Sequence, residues 1–331
     1  MTQGRNWRPL LRLVAGVAVS AFFIVVTISR VDIAEVGAAL GRVDFGGVLL
    51  AIPLVAIELV LRAFRWQRLL QPIGPVTLTR TSAYLAIGYF ANSMLPARLG
   101  DVARAFLAGR AFGISRLAVL GTIVVERLAD GVFILIVVAV LGLTVAGGAS
   151  LASTALLLAG LGVMGLIVLA VAIVWLRRPG AGRFRTPAKS LVERVLSGVT
   201  SVSTPAVALS TILMTIAAFA VAVVMFAVVA NAAGADLSLG QSALVMGGLA
   251  LSTSVPAGPG SIGTYEFVGL TILTSLGVAP ELALAVVVLV HLVATLPPAV
   301  VGLIATWRFH FRFSELAADS EPDNLVAPES T

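Results

Sequence analysis

Three ionisable residues, Glu126, Arg127 and Asp130, stand together inside an otherwise apolar stretch of the sequence. On a helix, Glu126 and Asp130 share one face, and Arg127 precedes Asp130 by one turn and is its expected partner. Ionisable groups in an apolar helix are costly, and they face the interior of a bundle or an aqueous cavity. The pattern predicts either a site that handles substrate or protons, or a buried ion-pair network, and favours neither.

A second group of polar residues surrounds a break in another apolar stretch. It consists of Asn92, Pro96, Arg98, Gly100, Asp101 and Arg104. Arg98 would start the helix that returns from the break, where free backbone N–H groups and the helix dipole favour an anion. Arginine adds a planar pair of donors that suits phosphate. We predict that this group binds the anionic part of a substrate, with Arg98 in contact with it. The alternative is that the charges are interfacial, which applies most to Arg104.

A glycine-rich break lies later in the chain. It contains Pro256, Gly258, Gly260, Ser261 and Gly263, with Glu266 one turn into the next helix. Open backbone N–H groups and the Ser261 hydroxyl could bind an anionic head group, and a tight turn that needs positive φ is the alternative. Glu266 is predicted to cap the helix or to pair with an arginine from the first break. His291 could relay protons or form a hydrogen bond between helices.

The composition restricts the class of protein. The 331 residues are 59% hydrophobic and 11% charged, with a mean hydropathy of +1.06, whereas soluble domains are about half apolar and a quarter charged. The sequence pI is near 10.9, but the basic residues are interspersed with apolar runs, so we expect no nucleic-acid partner. With no cysteine and two histidines, the chain offers neither a thiolate nor a multi-histidine metal site. We predict no metal and no cofactor.

The apolar runs predict an all-α polytopic membrane protein. Six runs are long enough to cross a bilayer, which takes about 20 residues each; they are 10–28, 46–61, 117–146, 151–176, 206–230 and 282–307. The first run is expected to be a retained span and not a cleaved signal peptide. The short second run ends at Arg62, Arg65 and Arg68, which are expected at the membrane interface. Glu58 and Arg62 are four apart and are predicted to form a structural pair.

The distribution of Lys and Arg predicts the orientation, because cytoplasmic loops carry the excess. With the N-terminus inside, only Arg30 and Arg42 of the 22 basic residues fall outside, and Arg98 and Arg127 lie at membrane depth. We predict a multi-pass protein of the inner (plasma) membrane with both termini cytoplasmic. The stretch 314–331 has five acidic residues and no basic one, and it is predicted to be a disordered cytoplasmic tail after a membrane domain at 1–313.

Two further apolar stretches, 81–112 and 241–277, contain the two breaks. Each arm has about 12–15 residues, roughly 18–22 Å of helix, which is too short for a hydrocarbon core of about 30 Å. We therefore predict two re-entrant helical hairpins whose tips are buried in protein or line an aqueous cavity. The alternative is a pair of interfacial helix-turn-helix elements with no transport role.

The breaks match each other at an offset of 160 residues. The identities are Pro96 with Pro256, Ala97 with Ala257 and Gly100 with Gly260, and Gly88 also falls on Gly248. Each half, about 1–146 and 147–313, would hold two spans, one hairpin and a closing span, in opposite orientations. This predicts an inverted-topology repeat whose two tips meet near the midplane, where such repeats bind substrate.

Four motifs occur in order along the chain: Arg65-Trp66, Asn92-x-x-x-Pro96-Ala-Arg98-x-Gly100-Asp101-x-x-Arg104, Glu126-Arg127-x-x-Asp130, and Pro259-Gly260-Ser261-Ile262-Gly263-x-x-Glu266 followed by His291. As an ordered set they resemble the lysylphosphatidylglycerol synthase transmembrane-domain family, also called flippase-like membrane proteins. Ser261 stands where the usual Pro-Gly-Gly pattern has its second Gly. The resemblance implies a lipid-handling membrane module without lysyl-lipid synthesis.

These observations predict a flippase-like transporter for an anionic lipid, either a phospholipid or a polyprenyl-phosphate-linked lipid. The lipid is implied by the resemblance, whereas the residues alone indicate a polar site in an inverted repeat. The chain has no nucleotide-binding loop motif, so an ion gradient or a partner would drive transport. We do not expect an enzyme. One alternative is an intramembrane serine hydrolase that uses Ser261 and His291, although Pro259 replaces the first Gly of Gly-x-Ser-x-Gly. The other is an accessory membrane subunit of a cell-envelope glycosyltransferase, which would make a cell-envelope enzyme the partner.

Overall fold

The computed structural model describes residues 8–95, 99–145, 195, 198–254 and 257–309, and these residues contain helices and no β-strand. The α-helices are α1 (Arg8–Ile28), α2 (Ile33–Gly41), α3 (Phe45–Leu49), α4 (Ala51–Leu70), α5 (Leu78–Met94), α6 (Leu99–Phe112), α7 (Arg116–Thr144), α8 (Pro205–Ala232), α9 (Leu239–Ser252), α10 (Thr264–Ser275) and α11 (Pro280–Arg308). Short 3-10 turns occur at Thr200–Ser203 and Pro259–Ser261. The predicted all-α class is confirmed.

Within the described residues, 3 stretches are long and apolar enough to cross a membrane: Phe45–Leu70 (α3 with α4), α8 and α11. A fourth candidate is the bent pair Gly16–Ile28 and Ile33–Gly41, whose two parts meet at 82°. These overlap four of the predicted runs, although the second is longer than predicted and the bent pair extends the first beyond residue 28. The run at 117–146 forms the single 29-residue helix α7, which is not among the candidates, and the run at 151–176 lies outside the described residues, as does the acidic tail. The total of six spans stays a prediction.

The outer faces of the long helices are apolar, as a lipid-facing surface requires. Their exposed residues include Leu209, Ile212 and Leu213 on α8 and Leu296, Val300 and Ile304 on α11. The buried residues form two main clusters, one around Phe226, Leu249 and Val290 and one around Trp66, Leu85 and Phe106. The helices therefore bury one face against each other and leave another face for an apolar environment.

The first broken stretch folds as the packed helix pair α5 and α6. The two helices approach closely where Gly88 meets Gly100, since a Cβ added to Gly100 would lie 2.0 Å from the Gly88 carbonyl oxygen. Asn92 bridges the break, because its Oδ1 accepts the Gly100 N–H at 2.8 Å. Glycine at position 100 is thus required by the contact between the helices and not by its own backbone angles.

The second broken stretch folds as the packed pair α9 and α10. α9 begins with a capping box, in which Ser238 Oγ accepts the Gln241 N–H at 3.2 Å and Gln241 accepts the Ser238 N–H at 2.9 Å. Between α9 and α10 the chain turns through Gly260 and Gly263, whose φ angles are 66° and 94°. Gly248, which corresponds to Gly88, again marks the approach, with an added Cβ 2.2 Å from Ile272 Cδ1.

The order of the helices recurs at an offset of about 160 residues, with starts and ends that differ by up to six residues. The range 51–70 of α4 maps onto 211–230 in α8, and α5, α6 and α7 map onto α9, α10 and α11. The packing recurs too, since α5 packs on α11 as α9 packs on α7, and α4 packs on its counterpart α8. Helices α4–α7 and α8–α11 therefore share their order and their neighbours, while the inverted repeat of the two halves stays a prediction.

Candidate functional site

Four arginines and four carboxylates form a connected ion-pair network between α4, α6 and α7. They are Arg62, Arg65, Arg104 and Arg127 with Glu58, Asp101, Glu126 and Asp130. Their formal charges balance. Because buried charges are tolerated only when paired and hydrogen-bonded, this balance is what lets so many ionisable groups lie between apolar helices.

Arg65 is the centre of the network. Its guanidinium donates to both carboxylate oxygens of Asp130, the longer contact being 3.1 Å, and to Glu126 Oε1 at 3.4 Å. It also donates to Thr215 Oγ1 on α8 at 2.7 Å, and its side chain is only 2% exposed. Arg65 was expected at the membrane interface, but the packing of α4 against α7 and α8 buries it. Asp130 therefore pairs with Arg65 and not, as expected, with Arg127.

Arg104 is committed to protein contacts. It donates to Glu126 Oε2 at 2.7 Å, lies 3.6 Å from Asp101 Oδ1 and stacks over the Trp66 ring at 4.0 Å from the centroid. Gly88 leaves space for it, since a Cβ there would lie 2.5 Å from Arg104 Cδ. The side chain is therefore neither interfacial nor open to a ligand, and it fixes α6 to α7.

A cavity of about 290 Å³ lies beside this network, between the two broken helix pairs. Its ionisable lining residues are Glu58, Arg62, Asp101, Arg127 and His291. Its other polar lining residues are Tyr89, Asn92, Ser93, Thr253, Ser261, Tyr265 and Thr295. The remainder is apolar and includes Met225, Met246 and Pro298. Apolar walls with a few convergent polar groups are typical of ligand sites.

A second cavity of about 170 Å³ adjoins the first, since Arg62, Arg127, Ala250 and Thr253 line both. Arg62 is held by Glu58, with Nε–Oε1 at 2.8 Å, as the predicted i,i+4 pair. Arg127 donates to Asp101 Oδ1 at 3.3 Å, and its Nε is buried with no partner among the described residues. The Nε atoms of Arg65 and Arg104 are also buried without a partner in the described part of the chain, but of these three arginines Arg127 is the one that lines the cavities.

The second break is held by His291. Its Nδ1 lies 2.5 Å from Glu266 Oε1, and its Nε2 lies 3.0 Å from the carbonyl oxygen of Gly260. Glu266 Oε2 accepts the Gly263 N–H at 2.6 Å, and the Tyr265 ring packs on the imidazole at 4.2 Å between centroids. Glu266 therefore caps α10 and pairs with a histidine and not with an arginine, while His291 links α11 to the break.

The backbone of the second break explains the glycine pattern. Ser261 has φ of 58°, a left-handed conformation that favours glycine, at the position where the family pattern has Gly. The N–H groups of Gly258, Ser261 and Gly263 already have acceptors, which are Ser20 Oγ, Gly258 O and Glu266 Oε2. The break is thus a tight turn in which these three N–H groups are already satisfied, and Gly260 and Ser261 are its residues at the cavity wall.

The ends of the two breaks lie close together where they are described. A Cβ added to Gly260 would lie 3.8 Å from the Ser93 carbonyl oxygen at the end of α5. Pro96, Arg98 and Pro256 lie outside the described residues. Among the described residues, the last turn of α5 and the turn before α10 lie at the same cavity wall.

The residues predicted from the sequence fall into two groups in the structure, those that line a cavity and those that support its walls. Asn92, Asp101, Arg127, Gly260, Ser261 and His291 line the larger cavity, and Asp130 lines the smaller one. Gly100, Arg104, Glu126, Gly258, Gly263 and Glu266 support the walls from behind. Sequence reasoning missed Tyr89 and Tyr265 and gave Arg62 only a structural role. Tyr89 was recoverable, because it lies one turn before Asn92 on the same helix face.

Comparison with known proteins decides the family. Residues 13–302 match the family described as "Lysylphosphatidylglycerol synthase TM region". The chain belongs to this family. The resemblance read from the four motifs is therefore confirmed, and the protein is a multi-pass membrane protein.

One curated relative adds a second name. The chain is 26% identical over 325 residues to "Glycosyltransferase AglD" of Haloferax volcanii, covering 85% of this chain and 52% of that protein. The chain thus spans about half the length of the curated relative that it matches. At this identity the relative is a distant one.

Proposed function

We propose that the protein is a flippase-like transporter that passes the head group of an anionic lipid through the larger cavity. The observation that carries the proposal is the composition of the cavity wall. The last turn of α5 and the turn before α10 meet there beside two arginines, Arg62 and Arg127. Substrate sites of transporters form where discontinuous helices meet at a repeat interface.

The proposed arrangement in the membrane is the inverted repeat. The recurrence of helix order and packing at about 160 residues supports two equivalent halves. The arms α6, α9 and α10 have 14, 14 and 12 residues and support re-entrant hairpins, while α5, with 17, is longer than the predicted arm. Six spans in the inner (plasma) membrane, with both termini in the cytoplasm, complete the proposal. The motive is the asymmetry of Lys and Arg between the loops.

We infer an anionic substrate because Arg62 and Arg127 lie at the cavity wall. Arg127 has an unpartnered Nε beside the cavity, and its fork of donors matches two oxygens of a phosphate. Arg62 lies at the same boundary. Arg98 remains a proposed further contact. A phospholipid and a polyprenyl-phosphate-linked lipid share this phosphate chemistry.

The test is lipid transfer in reconstituted vesicles. We expect the purified protein to speed the exposure of labelled phosphatidylglycerol or polyprenyl phosphate to an external quencher. Arg127→Gln should slow transfer by about ten-fold to a hundred-fold, the loss of one charged hydrogen-bond contact. The matched control is Arg42→Gln, because Arg42 is exposed in the turn after α2. Transfer of phosphatidylcholine at the same rate, or an unchanged rate in Arg127→Gln, would contradict the proposal.

An accessory subunit of a cell-envelope glycosyltransferase is the second candidate. It is favoured by the similarity to a relative that is named as a glycosyltransferase and is about twice as long as the matched part. Recovery of a glycosyltransferase in stoichiometric amounts, together with no lipid transfer by the pure protein, would support it. The serine hydrolase is not favoured, because both ring nitrogens of His291 are engaged by Glu266 and Gly260 and neither reaches Ser261.

A further inference from the structure

The contacts of His291 can be satisfied only if one extra proton is bound. The Gly260 carbonyl oxygen is an acceptor without a hydrogen, so the Nε2 that faces it at 3.0 Å must carry one. The 2.5 Å contact from Nδ1 to Glu266 Oε1 then needs a second hydrogen. That hydrogen lies either on the ring, with Glu266 ionised, or on the carboxyl, with the ring neutral.

The two forms have the same proton count and the same net charge of zero. Both hold one proton more than a neutral imidazole beside an ionised carboxylate. If that proton leaves, the ring keeps a single N–H. The N–H can face Glu266 or the Gly260 carbonyl, and the other contact then sets two lone pairs against each other. Loss of the proton therefore breaks one of the two contacts that fasten the break to α11.

The surroundings leave the pair without a competing charge partner. The ionisable groups that line the cavity with His291 are Glu58 and Arg62 of α4, Tyr89 of α5, Asp101 of α6, Arg127 of α7 and Tyr265 of α10. The helices packed on α11 also carry the exposed Glu35, Arg68 and Arg80, the buried Tyr84, and Arg65, which is bound to Asp130 and Glu126. α11 itself has Glu281 in its first turn and Arg308 in its last. Glu58 is bonded to Arg62 and Asp101 to Arg127. α8 and α9 contribute no ionisable residue. His291 itself lines the cavity, so a proton can pass between the pair and the cavity.

We propose that His291 and Glu266 together form the binding site for the coupling proton of this transporter. With the proton bound, the second break is fastened to α11; without it, His291 loses its contact either with the Gly260 carbonyl or with Glu266 Oε1, and the break can move into the cavity. The proposal rests on the proposed function, since it names the ion whose gradient drives the head group. The site couples proton binding to the position of one wall of the substrate cavity.

The first experiment measures the break without any transport. Ser261→Cys places a single thiol at the break of a chain that has no cysteine, and its labelling by a water-soluble maleimide is followed from about pH 5 to pH 8, the range in which histidine usually changes charge. Glu266→Gln is the matched background. Its amide can donate to Nδ1 and accept from the Gly263 N–H, so both contacts hold without the extra proton.

We expect labelling in the Glu266 background to rise with pH about ten-fold more than in the Glu266→Gln background, where only the thiolate fraction changes. Equal pH profiles in the two backgrounds would overturn the proposal. His291→Gln should label rapidly at all pH values if it folds, and Glu266→Gln decides the question if it does not.

The second experiment separates this proposal from the proposed function. Vesicles with labelled phosphatidylglycerol are given a pH gradient, and we expect the wild type to move lipid in response to it and Glu266→Gln to lose that response. Lipid movement that ignores the gradient, together with equal labelling profiles, overturns the proton site and leaves the transporter standing. A pH-dependent break in a protein that moves no lipid supports the proton site and removes the proposed function.

Discussion

The two breaks are held by different chemistry although they occupy equivalent places in the two halves. Behind the first break, Arg104 of α6 is fixed to Glu126 of α7, in a network of arginines and carboxylates. The second break is held by His291 and Glu266, which contact each other, the Gly260 carbonyl and the Gly263 N–H, and which form the proposed proton site. Arginine stays protonated at any physiological pH, whereas histidine does not. We therefore call the wall fixed by the arginine–carboxylate network behind the first break the fixed wall. We call the wall formed by the second break, which the proposed proton site would hold or release, the movable wall.

The largest effect is expected from removing the centre of the fixed wall. Arg65→Ala leaves Glu126 and Asp130 facing each other without their shared partner, which should cost about 3–5 kcal/mol of unfolding free energy. Thermal unfolding in detergent, followed by fluorescence-detected gel filtration, measures it. Arg68→Ala is the control, because Arg68 is exposed on the same helix. Similar melting of both variants would show that the network does not stabilise the first half.

The next largest effect is expected from alanine substitutions at Gly100, where α5 and α6 meet, and at Gly248, where α9 and α10 meet. Gly100→Ala places a methyl group 2.0 Å from the Gly88 backbone oxygen, whereas Gly248→Ala meets the flexible end of Ile272. We expect a loss of about 2–3 kcal/mol for Gly100→Ala and less for Gly248→Ala, because a side chain can turn away and a packed backbone cannot. Gly131→Ala on α7 meets nothing within 4 Å and is the control. Equal melting temperatures for positions 100 and 248 would contradict the expected difference between the halves.

The smallest effect tests the strain in the movable wall. Ser261→Gly should stabilise the protein by about 0.5–1 kcal/mol, because serine at φ of 58° is strained and glycine is not. Ser275→Gly, at the right-handed end of α10, should destabilise by about the same amount. Differential scanning fluorimetry of the two variants gives the sign. Destabilisation by Ser261→Gly would mean that the serine hydroxyl contributes more than its backbone costs.

More of the fold than of the candidate site could be predicted from the sequence. Apolar runs and the two breaks predicted α4, α8, α11 and both helix pairs, because each depends on local composition and on Gly and Pro. The spacing of Glu126 and Asp130 also put both on one face, where both reach Arg65. Their partners did not follow, since Arg65 comes from a helix 61 residues away from Glu126 and only tertiary packing selects it. The contact of His291 with Gly260 was likewise out of reach, because it joins two helices across a turn with unusual backbone angles.

The hydrogen bond between Ser20 and Gly258 gives the N-terminal helix a mechanical role. Ser20 Oγ accepts the Gly258 N–H at 2.9 Å, and the backbone of Ala257 lies against Gly16, so α1 rests directly on the second break. Its other side, with Val17, Phe22 and Val25, is exposed. If the second break shifts, either this hydrogen bond breaks or α1 moves together with the break. A probe attached to the outer side of α1 would therefore register movement of the second break without any substitution in the break itself.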